Sequence, residues 1–339
     1  MIGILADIHV DTSNKNEVVL AIDHFISSCK KNKVGRVYIA GDLFLVRKHQ
    51  TTESLEVLQV VIDMFRAADI HLIMFAGNHD KVDQTKDFSY ISPFAGQDGV
   101  TVCNSVQSIR EDDLNIIVIP FYTKAKYTEE LDKAKSLVVT DAINVCLTHI
   151  DIDVPSPESM KSKDFSDFDM TLSGHHHDCR VVSEEPYVYY VGSLVQGGFD
   201  EDDNKGGILF GESGEITRIK VPFKKYVQIT ALVGISDLDT VIKSVKASLK
   251  DSNVFAVRVK VVGEKESYYE HREKIQEIVA LGVDVITDLS DDMIYTSSDV
   301  AMHTSKSLKN EFVEFAEEKG KDKLSSIEIY DKYTTNNQP

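Results

Sequence analysis

The sequence has only four cysteines among its 339 residues, and no two of them form a CxxC pair. Scattered thiols in a chain of this length are typical of a reduced, cytoplasmic protein, and they argue against a disulfide framework or a zinc site held by thiolates. No apolar run reaches the roughly 18 residues that a membrane span needs. Residues 1–6 are apolar but have no basic lead-in, so we do not expect a signal peptide there.

Basic residues are also scarce, with 37 Lys and Arg against 55 Asp and Glu, which gives a formal net charge of −18. This balance argues against a protein that holds nucleic acid by bulk electrostatics alone. It leaves room for a nucleic-acid enzyme whose bound cations or partner supply the positive field. Apolar residues make up 42% of the chain, as in ordinary soluble proteins, and the length predicts two domains or one large domain with an appendage.

The first part of the chain alternates short apolar runs with helical patterns. The runs at residues 2–5, 36–40 and 70–76 are predicted strands, and residues 17–29 and 52–65 carry the apolar stripe of amphipathic helices. This βαβαβ order predicts parallel strands joined by right-handed crossovers.

The middle of the chain is strand-rich, with one helix predicted near residues 129–138. We expect two sheets packed face to face with helices outside. A strand–helix–strand–helix–strand pattern then predicts a small α+β domain at 223–297, after a first domain at 1–222 and before a tail at 298–339. The short strands predicted in the middle are 100–103, 115–120, 144–148, 170–173, 187–191 and 207–210.

Side chains of the metal-ligand type stand directly after five predicted strands. In an α/β sheet the carboxyl ends of the strands converge on one edge, where sites form. Mixed carboxylate and imidazole ligands suit Mn²⁺, Fe or Zn²⁺. Two ions roughly 3.5–4 Å apart can clamp the attacking and leaving oxygens of a phosphoryl displacement, and Asp42 is the natural bridge between them. The residues are Asp7 with His9, Asp42, Asn78 with His79 and Asp80, His149, and His175 with His177.

These residues resemble the motifs of the calcineurin-like metallophosphoesterases. That pattern is D-x-H, then GD, then GNH followed by D or E, then a lone His, then G-H-x-H. The resemblance covers about residues 1–220 and implies an α/β, four-layer metallophosphoesterase sandwich, in which two packed mixed sheets are flanked by helices. The chain has the motifs in the same order, at residues 7–9, 41–42, 77–80, 149 and 174–177.

Within that superfamily the chain resembles the SbcD-type DNA-repair nucleases, which are homologous to the eukaryotic meiotic-recombination nuclease and to a phage recombination nuclease subunit. The second motif reads GDLF, and the stretch YVGS at 190–193 is followed by GFDE at 198–201 and KG at 205–206. The resemblance implies a 3′–5′ exonuclease on duplex ends and an endonuclease on single strands or hairpins. Such a subunit acts in DNA repair, recombination or replication as a homodimer with an SbcC-like coiled-coil ATPase, in the cytoplasm or in the host cytoplasm if phage-encoded.

The resemblance also assigns a ligand set for two divalent ions, with Mn²⁺ expected and Mg²⁺ as the alternative. Asp42 belongs to both ligand sets. The first ion would take Asp7, His9, Asp42 and His177, and the second would take Asp42, Asn78, His149 and His175.

His79 is the catalytic residue that the resemblance implies. It would stand beside the scissile phosphate and stabilise charge or protonate the leaving oxygen. Asp80 is expected to orient His79 through a hydrogen bond. Some relatives carry His or Asp directly after GDLF, where this chain has Leu45, so one contact near the active site is missing.

The contacts with DNA and with a partner are less specific in the sequence. Lys124, Lys126, Lys224 and Lys225 are candidate phosphate contacts, although any one of them can be a solvated charge. In the tail, Leu308, Phe312 and Phe315 have the i, i+4, i+7 spacing of a helix that docks in a partner's groove, or of one that folds back on its own domain.

Two other functions remain open. The same site could serve a phosphoesterase that acts on a small phosphodiester or a phosphoprotein, because fold does not decide substrate. The chain could also be a non-catalytic adapter for the ATPase. The extra domain and tail favour the nuclease over a simple phosphatase.

Overall fold

The computed structural model describes residues 1–290. Two six-stranded mixed sheets and one three-stranded sheet account for its strands. The strands are β1 (Ile2–Leu5), β2 (Arg36–Ala40), β3 (His71–Phe75), β4 (Val100–Cys103), β5 (Gln107–Glu111), β6 (Leu114–Ile119), β7 (Ile143–His149), β8 (Met170–Gly174), β9 (Arg180–Glu184), β10 (Tyr187–Tyr190), β11 (Gly206–Phe210), β12 (Ile216–Lys220), β13 (Lys225–Leu232), β14 (Val254–Glu264) and β15 (Asp284–Ser290). The helices are α1 (Lys15–Lys31), α2 (Thr52–Ala67), α3 (Lys124–Lys135), α4 (Leu238–Ser248), α5 (Lys265–Glu270) and α6 (Arg272–Ala280).

The first sheet has the order β12-β11-β1-β2-β3-β4, with β1 to β4 parallel and β11 and β12 antiparallel. The predicted βαβαβ order is therefore confirmed. Helices α1 and α2 cover its outer face because their apolar residues recur every three or four positions, as Val18, Ile22, Phe25 and Phe65 do. Each fully buried side chain of this size contributes about 1.5–3 kcal/mol.

The second sheet has the order β5-β6-β7-β8-β10-β9 and packs against the first. Ile4, Tyr38 and Phe75 of the first sheet and Ile116 and Leu147 of the second belong to one buried cluster. Helix α3 covers the outer face of the second sheet, which completes the four-layer sandwich. Helix α3 begins five residues before the prediction because Tyr127 as well as Leu131 faces the core.

The third sheet, β13-β14-β15, is parallel throughout and has its own buried core with α4 and α6. It follows the sandwich directly, and Phe223 packs against the sandwich core. The backbone N–H of Tyr226 donates to Gln196 Oε1 at 2.9 Å, so β13 is tied to the loop after β10. This contact places the small α+β unit beside the carboxyl edge of the sandwich.

Two parts of the sequence-based interpretation lie outside residues 1–290. They are the tail with Leu308, Phe312 and Phe315, and the last residues of the segment 223–297. Among the residues that the structure does describe, none of the helices is long and apolar enough to span a membrane.

Candidate metal centre

The polar residues that follow the parallel strands of the first sheet lie side by side at its carboxyl edge. Strands β1, β2 and β3 pair in parallel without a shift in register, so their carboxyl ends are level. Asp7 and His9 follow β1, Asp42 follows β2, and Asn78 and His79 follow β3. The convergence that the sequence predicts is therefore a consequence of strand register.

The second sheet contributes its own strand ends to the same place. Strand β7 ends at His149, and His175 and His177 follow β8. The buried His149 ring donates from Nδ1 to the carbonyl oxygen of Ala40 at 2.8 Å, which bridges the two sheets. The structure thus brings every predicted ligand into one cluster.

Four of these residues have a left-handed backbone, which is rare outside glycine. The φ angles are +49° at Asp7, +49° at His9, +51° at Asp42 and +81° at His175. Each such residue costs about 1–3 kcal/mol, and residues of this kind concentrate at functional sites. The surrounding hydrogen bonds hold them in place, as when the N–H of His9 donates to the Asp42 carbonyl at 3.0 Å.

Two glycines make room for this arrangement. Gly41 has φ +81°, and a Cβ there would lie 2.4 Å from His149 Nδ1. A Cβ on Gly77 would lie 2.2 Å from Asp42 Oδ1. The GD and GN dipeptides of the motifs therefore have a steric reason for their glycine, because no side chain fits between the carboxylate and the neighbouring loop.

The candidate ligand atoms form overlapping groups with Asp42 at the centre. Asp42 Oδ2 lies 3.3 Å from His149 Nε2 and 3.7 Å from His9 Nε2, and His9 Nε2 lies 3.0 Å from His177 Nε2. Within each group the ligand atoms are all within 4.8 Å of one another. The groups are Asp7–His9–His177, His9–Asp42–His79 and Asp42–His149–His175.

The Asn78 amide lies between two of the candidate imidazole ligands. Its Oδ1 lies 2.9 Å from His175 Nδ1 and 3.1 Å from His149 Nε2, although all three atoms carry lone pairs when the rings are neutral. A cation bound there would be held by these atoms. Turning the amide over instead lets its nitrogen donate to both rings and its oxygen accept from Arg47. Carboxylates, imidazoles and one amide oxygen fit two divalent metal ions.

The charges in the cluster are strongly interdependent. Burial alone would raise the pKa of Asp42, but His149, with a smaller contribution from His9, outweighs it and holds that pKa well below its usual value. Burial likewise opposes protonation of His149, yet Asp42 and Asp7 raise its pKa to about 9. At His9 burial dominates and lowers the pKa. Cations would take the place of these protons, since ligands bind metals in their deprotonated forms.

Glu201 and Lys205 support His177, a role that sequence reasoning missed. His177 Nδ1 donates to Glu201 Oε1 at 2.7 Å, and the fully buried Lys205 ammonium lies 3.0 Å from Glu201 Oε2. Burial opposes ionisation of Glu201, but His177 and Lys205 outweigh it and lower its pKa to about 2. The signal was the GFDE and KG stretch, whose four-residue spacing places the two charges together.

Asp151 supports His175 in the same way and was also missed. Its Oδ1 lies 3.2 Å from His175 Nε2 and 3.1 Å from His176 Nε2, and these hydrogen bonds hold the pKa of Asp151 below its usual value. The His176 ring packs against Tyr190, with ring centroids 4.5 Å apart. His176 therefore points away from the ligands and helps to fix the carboxylate that orients His175.

His79 is half-buried at the edge of the cluster. Its Nδ1 donates to the carbonyl oxygen of Leu45 at 2.6 Å, and its backbone N–H donates to Asp42 Oδ1 at 2.8 Å. The side chain of Leu45 is exposed, so this position contributes its carbonyl and not a polar side chain. The ring of His79 is thus held through Nδ1.

The expectation that Asp80 orients His79 through a hydrogen bond is wrong. The carboxylate of Asp80 is fully buried and accepts from the backbone N–H groups of Leu43, Phe44 and Gly77 at 2.8–3.2 Å. Burial, together with the charge of Asp42, raises its pKa to about 7. Asp80 thereby links the loop after β2 to the loop after β3, both of which carry candidate ligands.

The four candidate DNA-binding lysines are all engaged with the protein. Lys124 donates to the carbonyl of Pro157 and Lys126 pairs with Glu130, both at 2.7–2.8 Å. Lys224 pairs with Glu17 at 3.3 Å, and Lys225 pairs with Asp203 at 3.0 Å. Of the four, Lys224 lines the cavity beside the candidate metal centre.

That cavity, of about 170 Å³, lies between the metal centre and the small α+β unit. His9, His79 and His177 form one side of it. Tyr226 and Phe255, from the third sheet, form the other. A group bound in this cavity would therefore touch both the imidazoles of the candidate centre and the aromatic rings of the small unit.

The chain is similar in sequence to a curated phage protein. No protein-family model matches the chain. Exonuclease subunit 1 of Enterobacteria phage T4 is 24% identical over 322 residues, which cover 85% of this chain and 92% of that protein. A dimetal phosphatase from Danio rerio aligns with a TM-score of 0.42 and 10% identity, over 57% of this chain and 87% of that one. The similarity to the phage protein confirms the resemblance to the SbcD-type nucleases, and the site described above has the donor set of a metal-dependent phosphodiesterase.

Proposed function

We propose that this chain is a two-metal DNA nuclease of the SbcD type. The observation that carries the proposal is the convergence of seven candidate ligands from five strand ends, four of them in a left-handed backbone conformation. So many buried polar groups would be unfavourable without an ion to share them. The similarity to a phage exonuclease subunit supports DNA as the substrate.

Asp7, His9, Asp42 and His177 would hold one ion, and Asp42 with Asn78, His149 and His175 would hold the other. We propose Mn²⁺ as the metal, with Mg²⁺ as the alternative, because oxygen and imidazole ligands are mixed. When bound, the two ions supply positive charge next to the phosphodiester and stabilise the negative charge that develops on its oxygens.

His79 is the residue that we assign to proton transfer. Its Nδ1 is held by the carbonyl of Leu45, so a protonated ring can donate from Nε2 to the leaving sugar oxygen. Asp42 accepts the backbone N–H of His79, which fixes the distance between the ring and the bridging carboxylate. His79 therefore acts at the side of the site that faces the cavity.

The finer activities follow from the resemblance. We propose 3′–5′ exonuclease activity on duplex ends, endonuclease activity on single strands or hairpins, and action as a homodimer with an SbcC-like ATPase. The net charge of −18 and the pairing of Lys126, Lys224 and Lys225 with acids support a partner that supplies most of the basic groove. Residues 1–222 would be the nuclease domain, 223–297 the capping domain, and 298–339 the partner-binding tail.

Cleavage of end-labelled linear duplex and of circular single-stranded DNA tests the proposal. Reactions contain Mn²⁺, Mg²⁺ or a chelator, with and without the ATPase partner, and a chromogenic phosphodiester is assayed in parallel. His79→Ala is compared with His24→Ala, which removes an exposed imidazole from helix α1. We expect Mn²⁺-dependent cleavage that is lost in His79→Ala and kept in His24→Ala.

Two results would contradict this expectation. Turnover of the small diester with intact DNA would identify a phosphoesterase instead. No metal-dependent turnover with the partner present, and DNA processing unaffected by His79→Ala, would identify an adapter.

A further inference from the structure

Two aromatic side chains, Tyr226 and Phe255, line the cavity opposite the imidazoles. Phe255 packs against Tyr226 with ring centroids 5.0 Å apart, and Phe199 meets Tyr226 edge-on at 5.1 Å. The guanidinium of Arg258 lies 4.2 Å from the centre of the Phe199 ring. We call Phe199, Tyr226 and Phe255 the aromatic shelf.

A local irregularity in the third sheet brings Phe255 beside Tyr226, and Phe199 comes from the loop between β10 and β11. Lys225 pairs with Val254, but Tyr226 pairs with Ala256, so Phe255 is an extra residue in β14. An extra residue of this kind re-aims side chains, and such bulges are frequent next to active sites. Here Phe255 and Tyr226 line the same cavity, although they come from different strands.

The shelf exposes a ring where burial would be favourable. Phe255 is 38% exposed and lines the cavity together with His79. A large aromatic side chain left partly in water gives up part of the ~1.5–3 kcal/mol that full burial contributes. A ligand that covers the ring face recovers that free energy, so the shelf is suited to a flat, unsaturated group.

Most of the polar side chains around the cavity already have partners in the protein. Asn14 bonds the backbone at Asp11 and His9, and Glu17 pairs with Lys224. The amide of Gln196 accepts from the N–H of Tyr226 and donates to the carbonyl of Glu201. A ligand would therefore be recognised by the aromatic faces and would find few hydrogen-bonding groups that distinguish one base from another.

We propose that the aromatic shelf binds an unpaired nucleobase of the DNA strand that is cut, by stacking and without reading its identity. The proposal rests on the proposed nuclease function. The base and the phosphodiester of one nucleotide are joined through a single sugar. Phe255, Tyr226 and His79 line one cavity, so one nucleotide could contact both the shelf and His79. Stacking on aromatic side chains is how proteins bind single strands of any sequence, since every base has a π-face.

Binding is tested with a short single-stranded oligonucleotide that has phosphorothioate linkages and 2-aminopurine at its 3′ end. Its fluorescence is titrated with the full-length chain in Mn²⁺, and an oligonucleotide with an abasic 3′ end serves as competitor. We expect stacking to quench the fluorescence. Phe255→Ala should weaken binding about 5- to 150-fold, the range for loss of one base–aromatic stack.

Matched variants separate stacking from folding and from general packing. Phe255→Trp should retain quenching, whereas Phe255→Leu, which keeps an apolar side chain, should lose it. Tyr269→Ala removes an aromatic ring that is 66% exposed on α5 of the same unit, and it should bind like the wild type. Unchanged binding in Phe255→Ala, or an abasic competitor as strong as the intact oligonucleotide, would overturn the proposal.

Cleavage kinetics distinguish the failure of this inference from failure of the nuclease assignment. We expect Phe255→Ala to raise KM for single-stranded DNA and to change kcat for the same DNA much less. Wild-type protein that quenches the probe but cuts no DNA even with the ATPase partner present would refute the nuclease and leave the shelf standing. Wild-type cleavage with equal KM in Phe255→Ala would refute the shelf alone.

Discussion

The metal centre and the aromatic shelf border one cavity but are built in opposite ways. The ligand residues of the centre are held by strand register, left-handed backbone and hydrogen bonds to buried partners. The shelf consists of partly exposed rings, two of them at an irregular pair of strands. Chemistry at the centre therefore depends on fixed geometry, whereas binding at the shelf needs only accessible ring faces.

Asp42→Asn should have the largest effect because Asp42 belongs to two of the three candidate ligand groups. We expect phosphodiesterase activity to fall by more than about 100-fold, beyond the range for residues that merely support a ligand. Metal content and Mn²⁺ affinity, measured by calorimetry, should fall with it. Quenching of the 2-aminopurine probe by Phe255 should survive if centre and shelf are separable.

The matched control for that variant is Asp69→Asn. Asp69 is exposed and has φ +58°, close to the +51° of Asp42, so the same change in charge and backbone preference occurs away from the centre. Loss of metal binding in both variants would mean that backbone conformation, and not the bridging carboxylate, explains the effect.

Glu201→Gln should reduce Mn²⁺ affinity or activity about 10- to 100-fold, because Glu201 orients His177 through a 2.7 Å hydrogen bond. It also leaves the buried Lys205 ammonium without its closest carboxylate. Removing one partner of a buried pair costs about 3 kcal/mol at the lower end of the usual range. Adding Lys205→Met should restore much of the stability in thermal unfolding but not the metal affinity.

Lys81, in the sandwich, should make the free energy of unfolding depend on pH. Its ammonium is buried and donates to the carbonyls of Lys86 and Phe121 at 2.7–2.9 Å, and burial lowers its pKa to about 8. The unfolded lysine has a higher pKa, near 10.5, so the unfolded state binds more protons between pH 8 and 10.5. The contribution of Lys81 to the free energy of unfolding therefore rises with pH in that window, by up to about 3 kcal/mol.

Chemical denaturation of the wild type and Lys81→Met across pH 7 to 11 measures this contribution as the difference between the two curves. Lys48→Met, at an exposed lysine, should follow the wild type at every pH. A difference curve that is flat between pH 8 and 10.5 would show that the ammonium is not destabilised in the folded protein.

Gly77→Ala should cost about 1–3 kcal/mol of stability through overpacking, because its Cβ would lie 2.2 Å from Asp42 Oδ1. The same clash should displace the carboxylate and lower Mn²⁺ affinity. Gly35→Ala is the matched control, since nothing lies within 4 Å of a Cβ at that position. Equal metal affinity in the two variants would show that the loops move without disturbing the centre.

The sequence predicted the centre better than its surroundings because each ligand motif is local and follows a strongly apolar strand. The parallel strands then place Asp7, Asp42 and Asn78 together. The supporting residues were harder to predict, because the contact between His177 and Glu201 spans a loop that has no periodicity. Asp80 was misjudged because its side chain and that of His79 bond different groups: Asp80 accepts from the N–H of Leu43, and His79 donates to the carbonyl of Leu45.

The three strands that the sequence pattern did not predict are β5, β9 and β12, and all three lie at sheet edges. Edge strands alternate half-buried and exposed residues, as the burial of β5 shows, so they lack the apolar run that reveals a central strand. The shelf was missed for a related reason. The bulge at Phe255 depends on pairing between β13 and β14, which local sequence does not specify.

Phe199→Leu should have the smallest effect, and it tests whether a change in the shelf alters the metal centre. The edge-on contact of Phe199 with Tyr226 is worth about 0.5–1.5 kcal/mol beyond the area it buries. We expect a loss of that size in the free energy of unfolding, with slightly weaker quenching of the 2-aminopurine probe. Mn²⁺ affinity should stay unchanged, because the Phe199 ring packs with Tyr226 and Arg258, which are not candidate ligands. A fall in Mn²⁺ affinity would mean that packing at the shelf helps to hold the candidate ligands in position across the cavity.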